Sequence, residues 1–146
     1  MIRWTAITAA RTALVSSAWT HKVSGVDLGT AKVRFSVDVA REPRGIAVMG
    51  DGSRAYVSHL VGSALTRIDG IGTEQPSVKR VALPAGPLRV PYASKRGGEA
   101  SLGYSLALSP DEKRLFAARH ALGASGPRAW AGVPVVDVLL TRDDTP

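Results

Sequence analysis

The chain has 146 residues and no cysteine, and its 19 lysines and arginines against 12 acidic residues give a formal net charge of +7. The lack of cysteine excludes disulfides, cysteine-based zinc sites, covalent c-type haem attachment and a cysteine nucleophile within this sequence. Aromatic residues make up only 5%, and the basic residues are scattered, which argues against nucleic-acid binding. No apolar run approaches the roughly 20 residues of a membrane helix, so no membrane span is predicted.

One pattern occurs three times along the chain: an apolar strand, a polar turn and a second strand. The copies read WTAITAARTALVS, IAVMGDGSRAYVS and LALSPDEKRLFAA, beginning at Trp4, Ile46 and Leu106. Their turns fall at Ala9, Asp51 and Asp111, which are 42 and 60 residues apart. A repeat of this size is typical of an array in which no single copy can bury its own core.

A second mark follows each turn, an apolar residue and then aspartate: Val26-Asp27, Ile68-Asp69 and Val136-Asp137. The distance from turn to aspartate is 18, 18 and 26 residues. A basic unit of 42 residues with four strands is typical of propeller blades. The spacing predicts an incomplete unit over about 1–31, a complete unit over 32–75, and a unit over 76–146 with inserted loops at 84–102 and 120–133.

Alternating apolar residues and β-branched composition predict the strands. The expected segments are a strand pair over 6–15, then 32–39, 44–49, 54–58, 64–69, 104–109 and 114–118. Helix could form only in the alanine-rich start or near 120–126. The fold class predicted is all-β, a β-propeller segment of four-stranded antiparallel blades forming an incomplete ring.

The run over residues 26–58 resembles the YVTN-type β-propeller repeat, a WD-like repeat. The resemblance lies in the Val26-Asp27 mark, Gly29-Thr30, the Pro43-Arg44-Gly45-Ile46 lead-in, the Asp51-Gly52 turn and Tyr56-Val57-Ser58. It implies a periplasmic or extracellular location, and related propellers occur beside c-type cytochrome or di-haem peroxidase domains and in quinoproteins. We therefore expect no cofactor within this chain, while a haem or quinone in a parent protein stays open. Three architectures also stay open: part of a larger ring, self-assembly with other copies, and an open array.

Propeller connectivity places both predicted insertions, the second-to-third loops and the inter-blade crossovers at one face. Long loops on a rigid scaffold are the usual place for binding. The candidate residues for this binding face are His59, Arg89, Tyr92, Lys95, Arg96, Arg119, His120 and Trp130. His59 aligns with Arg119 in the repeat, and the histidines are expected to be solvated loop residues. No catalytic residue and no metal site is predicted.

The repeated aspartates are expected to be structural. Asp51 and Asp111 form turns, and Asp27, Asp69 and Asp137 are expected to bond locally at strand ends. Leu106 and Leu108 are expected to lie on poorly covered apolar faces.

Two functions remain. The first is a non-catalytic binding or scaffolding segment whose partners are further propeller blades, of the same or another chain, or a protein partner. The second is part of an extracytoplasmic redox protein whose cofactor is held mainly outside this chain.

Overall fold

A computed structural model describes residues 2–7, 11–86, 100–126 and 129–146. These residues contain strands and turns but no helix, which confirms the all-β prediction. The strands are β1 (Ile2–Ile7), β2 (Thr12–Ser17), β3 (Lys22–Asp27), β4 (Val33–Asp38), β5 (Pro43–Val48), β6 (Arg54–His59), β7 (Ala64–Asp69), β8 (Ser77–Ala82), β9 (Ala100–Leu108), β10 (Arg114–Gly126) and β11 (Ala129–Leu140).

The strands form three antiparallel sheets, which we call blades. The first blade has the order β1-β2-β3-β4 and the second β5-β6-β7-β8, while the described third blade has β9, β10 and β11. Every neighbouring pair is antiparallel. The strand at Val33–Asp38 is the outermost strand of the first blade. The repeat places this strand at the start of the second unit, so the boundary between the blades lies one strand later than the boundary between the repeat units.

The segment over 120–133 differs from the inserted loop that the sequence predicts. Residues 120–126 continue β10, and 129–133 belong to β11, with pairs such as His120 to Pro134 and Leu122 to Gly132. Small residues are frequent in both strands here, and their backbone groups continue the antiparallel ladder. At the other predicted insertion, residues 100–102 belong to β9.

Each pair of adjacent blades shares an apolar core. The first core joins Leu14 and Phe35 of the first blade to Val57 and Ile68 of the second. The second core is formed between the second and third blades by Tyr56, Leu65, Val81, Leu115 and Leu139. Leu106 and Leu108 pack against this second core, so the expectation that they lie on poorly covered faces is wrong.

Aspartates shape the turns as expected at three positions. Asp51 accepts hydrogen bonds from the backbone and hydroxyl of Ser53, and Asp111 bonds Ser109 and Lys113. Asp27 accepts from the backbone of Gly29 and Thr30 and from the Thr30 hydroxyl. These hydrogen bonds, from Thr30 first, hold the pKa of Asp27 below its ordinary value.

The other two aspartates bond arginine side chains instead of nearby backbone donors, which corrects the prediction. Asp69 forms ion pairs with Arg54 across the sheet and with Arg67 two residues earlier in β7, while Asp137 pairs with Arg119 of the neighbouring strand. Both lie inside ladders of paired strands, where the backbone donors are already used, so their carboxylates are available to cations.

Candidate functional site at the linker end

At one end of the blades lie the last residue of β6 and the two inter-blade linkers, 39–42 and 83–86. We call this end of the blades the linker end. His59 is the last residue of β6, and the backbone N–H of Leu60 donates to the carbonyl of Glu42 in the first linker. At the second linker, the N–H of Leu83 donates to the carbonyl of Ser63. The linkers are therefore fastened to the loops between the second and third strands.

His59 is buried, with 2% of its surface exposed, rather than solvated as the sequence suggests. Its Nδ1 lies 3.1 Å from the carbonyl oxygen of Arg41, and its Nε2 lies 2.8 Å from the hydroxyl of Thr66. Burial lowers the pKa of His59 below its ordinary 6.5, and the carbonyls of Arg41 and Ala40 only partly oppose this. The neutral imidazole therefore links Arg41 of the linker to Thr66 of β7.

Arg119 takes the same place in the third blade. Its Nε and Nη2 donate to the carboxylate of Asp137 at 2.5 and 3.2 Å, and Nη2 also donates to the carbonyl of Pro84 at 2.5 Å. The side chain is 1% exposed. Within the described part of the chain, Arg119 Nη1 is buried without a hydrogen-bond partner.

The strand registers show that these two arrangements are equivalent. Val57 pairs with Thr66, and Ala117 pairs with Asp137. Because Val57 and Ala117 both lie two residues before the linker-end side chain, Thr66 and Asp137 occupy the same position. The neutral His59–Thr66 pair of the second blade is thus replaced by an Arg119–Asp137 ion pair in the third.

A groove of about 330 Å³ opens beside β9, lined by Arg44, Leu60, Gly103, Tyr104 and Ser105. A glycine is required at position 103 because a Cβ there would collide with the backbone carbonyl of His59. The Ser58 hydroxyl lies 2.9 Å from the N–H of Gly45 and 3.4 Å from the carbonyl of Tyr104. These contacts hold the second and third blades close together at the base of the groove.

The third blade also has an outer face, which we define by the six residues Tyr104, Phe116, His120, Pro134, Val136 and Val138. The rings of Tyr104 and His120 meet edge to face with centroids 5.5 Å apart. A shallow cavity of about 260 Å³ lies beside them and extends to Pro134 and Val136. Val136 is 62% exposed and Val138 41%, so this face is apolar and open among the described residues.

The structure brings some of the predicted site residues together and separates others. His59 and Arg119 lie inside the linker end, whereas His120 lies in the middle of β10 on the outer face of the third blade. Trp130 belongs to β11, and its side chain lies outside the described residues. Arg89, Tyr92, Lys95 and Arg96 also lie outside the described residues.

Sequence reasoning missed Arg44 and Tyr104 as site residues. Arg44 sits in an apolar strand and Tyr104 begins the predicted strand 104–109, and only the packing of neighbouring blades brings them to one groove. Among the described residues, no group of three or more histidines and carboxylates could hold a metal ion. No helix in the same residues is long and apolar enough to cross a membrane.

No protein-family profile matches the chain, and no curated protein matches it. The YVTN-type assignment therefore stays a prediction.

Solved structures match over nearly the whole chain. Hydrazine synthase from Kuenenia stuttgartiensis superposes with a TM-score of 0.59 at 18% identity, covering 97% of this chain and 46% of that one.

Two further structures have the same architecture. The β-propeller domain of Cps50 (Swd1) from Myceliophthora thermophila gives a TM-score of 0.54 at 11% identity, covering 97% of this chain and 43% of that one. The dihydro-haem d1 dehydrogenase NirN gives 0.58 at 18% identity, covering 97% and 28%. The chain spans less than half the length of these structures, and their identities show the fold alone. Together with the three antiparallel blades, they define the chain as a β-propeller segment.

Proposed function

We propose that this β-propeller segment is a non-catalytic scaffold whose third-blade outer face binds a further blade. The observation that carries the proposal is the contrast between Val136 and Leu65. By the strand registers these two residues occupy equivalent positions in the third and second blades. Leu65 is 2% exposed beneath the third blade, whereas Val136 is 62% exposed.

The outer face of the third blade also resembles the side of the second blade that packs against the third blade. Phe116 stands where Tyr56 stands in β6, and it pairs with Val138. Removing apolar side chains of this size from water is favourable by roughly 1.5–3 kcal/mol each when burial is complete. An open sheet face of this kind is therefore suited to protein binding.

The blade donor that we propose is a second copy of this chain. Its first blade presents Val15 and Val26 on the side away from the second blade, because Leu14 and Val23 face inward. Val15 and Val26 are half-buried, so this side can cover apolar neighbours. In both interfaces within the chain, the side of one blade that faces along the chain packs on the opposite side of the next blade. The proposed contact repeats that arrangement between copies.

Sedimentation velocity over a range of protein concentrations tests the proposal. We expect association of the wild-type chain, and its loss when Val136→Lys and Val138→Lys are combined. Val78→Lys is the matched control, because Val78 is 44% exposed but lies in β8 of the second blade, outside both docking faces. A wild-type chain that stays monomeric, or equal association of both variants, would contradict the proposal.

A second candidate function, part of an extracytoplasmic redox protein, is favoured by the name of one similar structure, the dihydro-haem d1 dehydrogenase NirN. In this candidate a haem or quinone is held mainly by residues outside this chain, and His120 faces it from the outer face of the third blade. Haemin titration tests it: a shifted Soret band that is lost in His120→Ala supports the candidate. The same change in His120→Ala would contradict a direct contact between His120 and the haem.

A further inference from the structure

We propose that the groove beside β9 binds a small organic carboxylate through the guanidinium of Arg44. Binding of a carboxylate at this groove does not depend on the blade docking proposed above. Three features of the groove support it: the state of the Arg44 side chain, the residues that line the groove, and the balance of charge around it.

The Arg44 side chain is held at the groove without a hydrogen bond to the described residues. It is 19% exposed, and its Nε is buried with no acceptor in the described part of the chain. Its nearest carboxylate oxygen is Glu42 Oε2, 3.8 Å from Nη2, which is beyond hydrogen-bond distance. A largely buried guanidinium in this state is costly unless an anion completes its coordination.

The backbone at Arg44 is fixed, so the ligand has to order only the side chain. The Ser16 hydroxyl of the first blade donates to the Arg44 carbonyl at 3.3 Å, and Gly45 is bonded by Ser58. Preorganisation of this kind lowers the entropy lost on binding.

The rest of the groove selects the ligand class. Leu60 supplies an apolar wall, and Ser105 supplies an exposed hydroxyl next to Gly103 and Tyr104. One guanidinium beside the Glu42 carboxylate suits a single negative charge better than the double charge of a phosphate. A volume of about 330 Å³ is at the small end of ligand sites. We therefore infer a monocarboxylate with a compact apolar body.

Benzoate is the probe for the experiment, with acetate and benzyl alcohol as partial probes for the charge and the apolar body. Binding is followed by amide chemical shifts of Leu60, Gly103 and Ser105. We expect benzoate to bind and each partial probe to bind more weakly. Arg44→Gln should weaken benzoate about tenfold or more, the usual effect of losing a charged hydrogen bond.

Two further variants separate binding from damage to the fold. Glu42→Gln removes the competing carboxylate, so it should tighten benzoate binding, an effect that unfolding cannot produce. Arg80→Gln, an exposed arginine of β8, is the matched control and should leave binding unchanged. The proposal is overturned if benzoate shifts none of these amides, if Arg44→Gln binds like the wild type, or if Glu42→Gln weakens binding. Blade docking is measured separately by sedimentation, so either proposal can fail alone.

Discussion

Arg67 of β7 donates to the carboxylate of Asp144 at 2.7 Å, and this contact joins the second blade to the segment that follows β11. The same carboxylate accepts from the Tyr56 hydroxyl at 2.9 Å and from Lys79 at 3.0 Å. Its side chain is only 4% exposed. Burial alone would raise the pKa of Asp144, but the hydrogen bonds from Lys79, Tyr56 and Arg67 lower it below its ordinary 3.8.

Replacing Asp144 should therefore destabilise the joint between the second and third blades. Asp144→Ala leaves Arg67 and Lys79 without their shared carboxylate, and we expect a loss of about 2–4 kcal/mol in the free energy of unfolding. Urea denaturation measures it. The control is Asp38→Ala, which removes an exposed ion pair with Lys22 and should change stability little. Equal effects of the two variants would show that the Asp144 contacts do not join the blades.

His59 should make stability depend on pH near neutrality. Its pKa is lowered in the folded chain by burial, so the unfolded chain binds the proton more readily. The stabilisation is fully present above the ordinary pKa of 6.5 and is lost as the pH falls below it towards the folded pKa. His59→Gln should flatten the dependence of the urea midpoint on pH below 6.5. If His59→Gln keeps the full wild-type change of the urea midpoint with pH, other groups cause that change.

The Arg119–Asp137 pair should be exchangeable for the pair found in the second blade. Arg119→His and Asp137→Thr each leave one buried charge unpaired, and each should cost about 3 kcal/mol. The double variant reproduces His59–Thr66, so its cost should fall short of the sum by about 2 kcal/mol. A double-mutant cycle by chemical denaturation measures this coupling. Simple additivity would mean that the two pairs do not occupy equivalent positions.

Gly103→Ala should loosen the contact between β9 and the end of β6. The added Cβ would meet the His59 carbonyl, and because this is backbone the strands must separate, at about 1–3 kcal/mol. Gly72→Ala is the control, since a Cβ at Gly72 meets nothing within 4 Å. Thermal unfolding compares the two, and an unshifted Gly103→Ala would contradict the close approach of these strands.

The strands could be predicted from sequence because each half-buried segment alternates apolar and polar residues. The segment Ala64–Asp69 is predicted at its observed bounds, and the alignment of His59 with Arg119 agrees with the structure. The apolar-aspartate mark was misleading at Asp137. The motif aligns Asp137 with Asp69, but Asp69 pairs with Arg54 at the start of β6, whereas Asp137 pairs with Ala117 inside β10. The length of a regular hairpin such as β10–β11 cannot be counted from motif spacing.

The candidate site was harder to predict, because its residues come from different blades. Arg44 looks like a polar position in a buried strand, and its groove exists only where β9 lies against the second blade. The burial of His59 likewise depends on the linker at Arg41, which is 18 residues away in sequence. Sequence patterns of period two carry no information about such contacts between sheets.

The proposed function requires the outer face of the third blade to bind a further blade. Isotope-filtered NMR on a mixture of labelled and unlabelled chains tests it most directly, through contacts between methyl groups of different copies. We expect intermolecular cross-peaks from Val136 and Val138 to Val15 and Val26. Their absence in a concentrated sample, or cross-peaks that join other surfaces, would contradict it.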